Sequence, residues 1–325
     1  MPSAKKQRGK QKKGASTAPK RSPAVAAAAS RIEAANAIPE LSAGLEPFLS
    51  IDLPAADAAS TANAHPAPAA DPVRLEIRSP KTVRDGDAQA MFDLLKANMH
   101  DMYVEAGWGW DRAEKWREME HRDARFLIAR CDSGGGAAGE GARDKEAVAS
   151  ATAGVWGVRV SEEEIKSKAV KGGARTDEAR TGPGAQRRGA AEAGGERLAG
   201  YCHFRFSWDQ DENEDGEGVG GTEDVLYVYE LQVAPWAKRR GLGRRMMQAL
   251  ELLANRHGMT KVMLTVFKEN RQAMSFYTKK MKYGVDKDSP SNWDQPDEVY
   301  EILSKPTRQG VARAKEAQRT ATLLD

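Results

Sequence analysis

The segment APWAKRRGLGRRMMQALELLANRHG, residues 234–258, constrains this chain more than any other. It follows VLYVYELQV (225–233), a β-branched and aromatic run that fits a buried strand. Leu242, Met246, Leu250 and Leu253 then recur on one helical face, and Gly258 supplies the stop. A strand feeding a Gly-rich turn and a helix makes the core α/β. The turn KRRGLGRR gathers backbone N–H groups and the positive end of a helix dipole at one point, an arrangement that cradles a pyrophosphate. Gly241 and Gly243 let the backbone approach a phosphate closely, and Lys238, Arg239, Arg240, Arg244 and Arg245 supply charge. A G-x-G alone marks only a turn. This one lacks both the third glycine of a dinucleotide fingerprint and the Gly-Lys-Ser/Thr of a P-loop.

Not all of the 325 residues read as folded. Residues 1–23 form a Lys/Arg/Ser/Pro arm without periodicity, read as disordered. Residues 24–50 read as a helical segment and 51–72 as an Ala/Pro-rich linker. The domain is expected over 73–305, with a low-complexity insertion at 133–197 that holds at most one strand near 153–160, and a frayed basic tail over 306–325. Inside the domain, strands are expected at VRLEIRS, RFLIARC, LAGYCHFRFSW, VLYVYELQV, KVMLTVF and DEVYEILSK. A helix through Met91, Leu95, Met99 and Tyr103 breaks at Gly107-Trp108-Gly109-Trp110, and Asp111 opens a short charged one. A last helix should carry Ala273, Phe276, Tyr277 and Met281 inward.

The net charge of +3 hides its distribution: the first 32 residues hold no acid and nine bases. A solvated arm and a contact with nucleic acid or the ribosome both fit that block. Two cysteines, Cys131 and Cys202, cannot build a disulfide framework, and no Cys/His spacing suggests a metal. No apolar run reaches transmembrane length, and Ala24 to Ala29 is too short for a signal-peptide core. The expectation is a protein of the cytoplasm and nucleus with no membrane partner.

With Lys238 in its first position, the turn is similar to the acetyl-CoA signature Arg/Gln-x-x-Gly-x-Gly/Ala of the GNAT superfamily. The resemblance implies a mixed, mostly antiparallel sheet flanked by helices, and a strand after the turn that splays from its neighbour to expose backbone for the pantetheine arm. LYVYELQV, RRGLG, KVMLTVFKEN, NMHDMY, GWGWDR, CHFRF, DSPS and YEIL together resemble one branch, the NatD-type N-alpha-acetyltransferases. RIEAANAIPELSAGLEPF resembles that family's N-terminal helical segment. That branch transfers acetyl from acetyl-CoA to the terminal amine of histones beginning Ser-Gly-Arg-Gly, the H-four and H-two-A tails.

The resemblance makes Glu230 the general base, with Tyr229 beside it and Tyr277, near the thioester sulfur, as proton donor. It implies a peptide pocket at Tyr103, Trp108, Tyr227 and Tyr229, with an acid just after FRF, read as Asp209. Acetyl-CoA would contact Leu231, Gln232, Val233, Lys238, Arg239, Arg240, Gly241, Leu242, Gly243, Arg244, Thr265 and Asn270. The residues themselves leave alternatives open. Tyr277 also suits a core aromatic, Tyr103 and Trp108 suit packing at a helix bend, and Asp209 to Asp224 suits a solvated loop. An α-amine, with a pKa of about 8, needs only modest help losing a proton, and one carboxylate can give it. Rival readings are a GNAT acting on lysine side chains or small amines, and a non-catalytic ribosome- or RNA-binding protein.

Overall fold

A computed structural model of the chain describes residues 22–54, 71–132, 155–156, 196–209, 222–293 and 295–322. The expected basic arm, apart from its last two residues, lies outside these, as do nearly all of the insertion and the acidic loop over 210–221.

Helix α1 (Pro23–Asn36) starts where Ser22 Oγ accepts the Val25 N–H and Pro23 fills the first turn. Strand β1 (Ser50–Leu53) follows and pairs antiparallel with β2 (Asp71–Arg78), Ser50 opposite Arg74 and Leu53 opposite Asp71. The segment read as linker over 51–72 therefore has strand at both ends. SIDL is too short to display a period, and its partner is needed to define it. Helix α2 (Asp85–Glu105) ends in the Trp/Gly turn. Gly107 and Gly109 there adopt φ of +77° and +71°, and the N–H groups of Trp108 and Gly109 both reach Tyr103 O. Helix α3 (Arg112–Glu120) opens on Asp111, whose Oδ1 accepts from Ala113 N and Glu114 N at 2.8 and 3.0 Å.

Strands β3 (Arg125–Asp132) and β5 (Glu196–Trp208) flank the insertion, and its residues Val155–Trp156 form a two-residue strand, β4. Next come β6 (Asp224–Val233), α4 (Leu242–Arg256), β7 (Lys261–Phe267) and α5 (Arg271–Ser275). The short β8 (Gly284–Val285), β9 (Tyr300–Pro306) and α6 (Arg308–Thr322) complete the chain. The nine strands form one sheet, ordered β1-β2-β3-β5-β6-β7-β9-β8, with β4 added to β6. Only β6 and β7 pair in parallel; the other neighbours are antiparallel.

Strand alternation sorts the core into two faces. Phe204, Phe206, Leu226, Val228, Val262 and Leu264 meet Leu242, Met246, Leu250 and Leu253 of α4. Phe126, Ile128 and Tyr201 meet Met91, Phe92, Leu95 and Met99 of α2. Each such side chain, fully buried, contributes about 1.5–3 kcal/mol. Cys131 and Cys202 are buried free thiols within this core.

The tail read as frayed over 306–325 is instead largely α6. Its helix buries no apolar stripe: Gly310 is its buried residue, and Val311 is exposed. It docks through backbone and charge. A Cβ at Gly310 would lie 2.0 Å from Thr260 O, so only glycine allows the approach. Thr307 Oγ1 accepts from Gly310 N and donates to Met259 O, and Arg313 pairs with Asp224.

Candidate active site

The site begins at an irregularity in β6. His203 of β5 stands opposite Glu230, but the next residue, Phe204, stands opposite Val228, so Tyr229 is an extra residue on β6. Such a bulge bends its strand. Parallel pairing with β7 runs only from Val225–Lys261 to Val228–Leu264, while β7 continues on β9 as far as Phe267 opposite Tyr300. From Tyr229 onward, β6 therefore leaves β7, which opens a cleft between them. Strand β4 lies on the cleft side of β6, with Val155 opposite Leu231 and Trp156 opposite Glu230.

The cleft leads to the Gly-rich turn. Arg239 and Gly241 take φ of +64° and +88°, and the N-cap of α4 is Gly241, which offers no side chain to the first-turn N–H groups. Those groups and the dipole are available to an anion. Gly241 is required by its backbone angle. At Gly243 an added Cβ would meet nothing nearer than Phe276 at 3.7 Å, so no neighbour among the described residues demands glycine there. Arg239 and Arg244 are exposed at the turn, and Lys238 is half-buried.

Arg240 does not join them. Its guanidinium turns inward to Asp71 at 2.8 Å and to Leu53 O at 3.0 Å, tying the turn to β1 and β2. Arg245 likewise donates to Pro47 O and lies over the Phe48 ring. Both were read as phosphate charge, yet both anchor the N-terminal segment. The remaining turn and the uncapped helix fit a pyrophosphate, and the edge of β6 that leaves β7, which β4 covers at Glu230 and Leu231, is where an extended arm would lie. Among the described residues no cluster of His, Cys, Asp or Glu could hold a metal ion.

Glu230 is buried at the mouth of the split. Gln232 Nε2 donates to its Oε2 at 2.8 Å, and its Oε1 has no hydrogen-bond partner among the described residues. Burial pushes its carboxyl well above the usual carboxylate range, Gln232 and the Lys115 charge oppose this, and Glu118 adds to it. A carboxylate so placed is a stronger base than a solvated one. The Tyr229 ring stacks on His203 at 4.9 Å, with the Arg205 guanidinium 4.4 Å from its centre. Burial pushes His203 well below its ordinary value, which leaves it neutral.

Tyr103 packs edge-on against Trp108, Trp110 and Phe267, the last residue of β7. Trp108 contacts Phe267 and Tyr300, and Tyr300 also packs on the cluster containing Tyr227 and Tyr229. Four predicted aromatics thus join through Tyr300, which the sequence reading missed. Tyr227 Oη is 2.6 Å from Thr265 Oγ1, so a predicted substrate residue holds a predicted cofactor residue. Asn270 caps α5 by accepting the Ala273 N–H at 3.0 Å.

Tyr277 falls in the core on the α4 face, inside a π-turn over Phe276–Lys280. Its Oη has no hydrogen-bond partner among the described residues, and burial pushes its pKa well above the ordinary tyrosine value, so it stays protonated. Asp209 is not a pocket residue. It is 1% exposed, its Oδ1 accepts from Thr222 N and Glu223 N, and Lys287 pairs with it. Glu223 and Asp224, at the other end of the acidic loop, are likewise paired with lysine and arginine.

Lys115, Glu118 and Asn98 also went unread. Lys115 is buried with Nζ 3.2 Å from Glu118 and 5.0 Å from the Tyr103 ring centre, and burial lifts Glu118 to about 7. On the sequence they look like solvated helix charges.

Residues 174–283 match the acetyltransferase (GNAT) family. The chain carries a GNAT acetyltransferase domain. The GNAT domain is similar to several solved structures. A GNAT-family acetyltransferase from Listeria monocytogenes is 12% identical, with 71% of this chain and 94% of that one covered and a TM-score of 0.37. NAA60 from Arabidopsis thaliana, solved with a bisubstrate analogue, is 10% identical over 72% of this chain and 99% of that one, with a TM-score of 0.37. PaiA N-acetyltransferase from Thermoplasma acidophilum, solved with coenzyme A, is 13% identical over 71% and 98%, with a TM-score of 0.34.

Proposed function

We propose that this GNAT domain acetylates the N-terminal amine of peptides beginning Ser-Gly-Arg-Gly, as on histone H-four and H-two-A tails, with Glu230 as general base. One observation carries the reading: a buried carboxylate with one unpartnered oxygen sits at a strand bulge, beside joined aromatic side chains. Tyr103, Trp108, Tyr227, Tyr229 and Tyr300 can wall a narrow slot, which suits a small Ser-Gly start better than a bulky one. The resemblance of the dispersed motifs to NatD-type enzymes supports the same substrate.

Acetyl-CoA, when bound, supplies the acetyl thioester. The turn from Lys238 to Arg244 would hold its phosphates, and the backbone of Leu231 to Val233 its arm. Glu230 Oε1 takes a proton from the ammonium of the incoming terminus, which frees the amine as a nucleophile. No covalent enzyme intermediate is needed. Tyr277, kept protonated, can return a proton to the leaving sulfur. With Asp209 committed elsewhere, Glu118, whose backbone oxygen accepts from Arg205 and whose carboxyl pairs with Lys115 near the Tyr103 ring, is a described acid that could exchange Lys115 for the third-position arginine.

Mass spectrometry of a Ser-Gly-Arg-Gly peptide with acetyl-CoA tests the reading. Glu230→Gln should lower kcat by about 100-fold or more, within the range for a lost general base. Equal rates would remove Glu230 as base. Acetylation of an internal lysine with the terminus untouched would overturn the substrate.

A further inference from the structure

Three buried or half-buried side chains connect the cofactor turn to the carboxylate. Lys238 Nζ donates to Asn98 Oδ1 at 3.2 Å, Asn98 Nδ2 to Gln232 Oε1 at 2.9 Å, and Gln232 Nε2 to Glu230 Oε2 at 2.8 Å. Asn98, on α2, is 4% exposed and Gln232 is fully buried. Both ends fix the direction of this series. An ammonium only donates, so Asn98 must turn its oxygen to Lys238; a carboxylate only accepts, so Gln232 must turn its NH₂ to Glu230. Flipping Gln232 would break two bonds and flipping Asn98 three. Asn98 Nδ2 also reaches Val233 O at 3.4 Å, which pins it against the end of β6. All the dipoles therefore point the same way, and each bond polarises the next.

We propose that Asn98 is a positioning residue for Glu230: acting through Gln232, it holds one carboxylate oxygen in place and leaves the other free for the substrate amine. The proposal rests on the assignment of Glu230 as base. Its link to Lys238 joins the base to the turn that would hold the cofactor phosphates. Other groups near Glu230 act on it through space. They are Lys115 and Glu118 of α3; the Glu230 charge in turn raises Tyr201 and Cys202 of β5 and Tyr277 after α5, and the neutral His203 is its register partner. Gln232 alone among the described residues donates a hydrogen bond to it. The donor stabilises the ionised carboxylate, so its loss should make Glu230 harder to ionise.

The titration uses the full chain without peptide, and turnover is measured with it. The infrared carboxyl band of Glu230, identified by its loss in Glu230→Gln, is titrated in wild type, Asn98→Leu and Asn98→Ser. The serine variant keeps the result readable if leucine prevents folding, which thermal melting checks. The midpoint should rise by about one pH unit, tenfold in the protonation constant. The acidic limb of kcat/KM should move the same way, with kcat lowered and the KM for acetyl-CoA little changed. A midpoint unmoved in the folded variants overturns the proposal. If Glu230→Gln loses turnover while that midpoint stays put, the base stands and Asn98 is only structural. If the midpoint moves but Glu230→Gln turns over like wild type, Asn98 still positions the carboxylate and the base assignment falls.

Discussion

Asp224 joins both ends of the described chain to the first residue of β6, and replacing it with asparagine removes the charge while keeping the shape. Its side chain is 2% exposed. Arg31 of α1 reaches it with two nitrogens at 2.8 Å each, Arg313 of α6 reaches it at 3.2 and 3.3 Å, and Thr260 Oγ1 donates at 3.0 Å. Breaking a fully buried pair costs about 3–5 kcal/mol. The arginines are 30% and 33% exposed, so water recovers part of that. Asp224→Asn should cost roughly 3 kcal/mol, whereas Arg31→Met or Arg313→Met should cost about 1 kcal/mol each because the other arginine remains. Urea unfolding measures the total, and hydrogen exchange shows where protection is lost, which should be α1 and α6 before the sheet. A cost below about 1 kcal/mol, or unchanged exchange in both helices, would refute the shared-carboxylate argument.

The two faces of the Gly-rich turn should separate by assay: Arg244→Met raises the KM for acetyl-CoA with stability unchanged, whereas Arg240→Met, which cuts the tie to Asp71 and Leu53 O, lowers the melting temperature. Glu118 is lifted to about 7 against an ordinary 4.5, so the folded state binds more protons than the unfolded one between those values. Its contribution to stability is complete below 4.5 and is lost as pH rises through 7, up to roughly 3 kcal/mol, and unfolding free energies against pH should lose this slope in Glu118→Gln. Asp132 and Glu196 are register partners, so a short turn can replace residues 133–195 without moving β3 or β5. Because β4 pairs with β6 at Leu231 and Glu230, where the arm of acetyl-CoA would lie, the shortened chain should bind acetyl-CoA more tightly by calorimetry; weaker binding would rule out competition between β4 and that arm.

The elements that could be read from sequence are those whose burial follows a period. KVMLTVF is strand β7 with the bounds expected, and Leu242, Met246, Leu250 and Leu253 do line the inner face of α4. The elements missed are held by something other than a stripe. Strand β1 exists because β2 pairs with it, and α6 exists because Gly310 permits a backbone approach and Arg313 finds Asp224. Charge was the least legible property. Arg239, Arg240, Arg244 and Arg245 are alike in sequence, but the turn points two outward and two back onto β1 and the segment before it.

The same limit explains the candidate site. A motif can indicate Glu230, but the ability of a carboxylate to act as a base depends on what surrounds it, and those residues are far away in sequence. Asn98 lies on a helix facing the end of β6, and no spacing relates it to Gln232. Asp209 shows the converse: an acid at the expected place in the chain is consumed by closing its own loop. The bulge at Tyr229 connects these cases. One extra residue turns Glu230 and Gln232 toward α2, parts β6 from β7, and so brings the base, the split and the phosphate turn into one continuous line. Removing the extra residue would leave Val228 opposite Phe204 and Glu230 opposite His203, on the faces they now hold, but would take away the bend that parts β6 from β7. Deleting Tyr229 should therefore abolish acetyl transfer even if the sheet still forms.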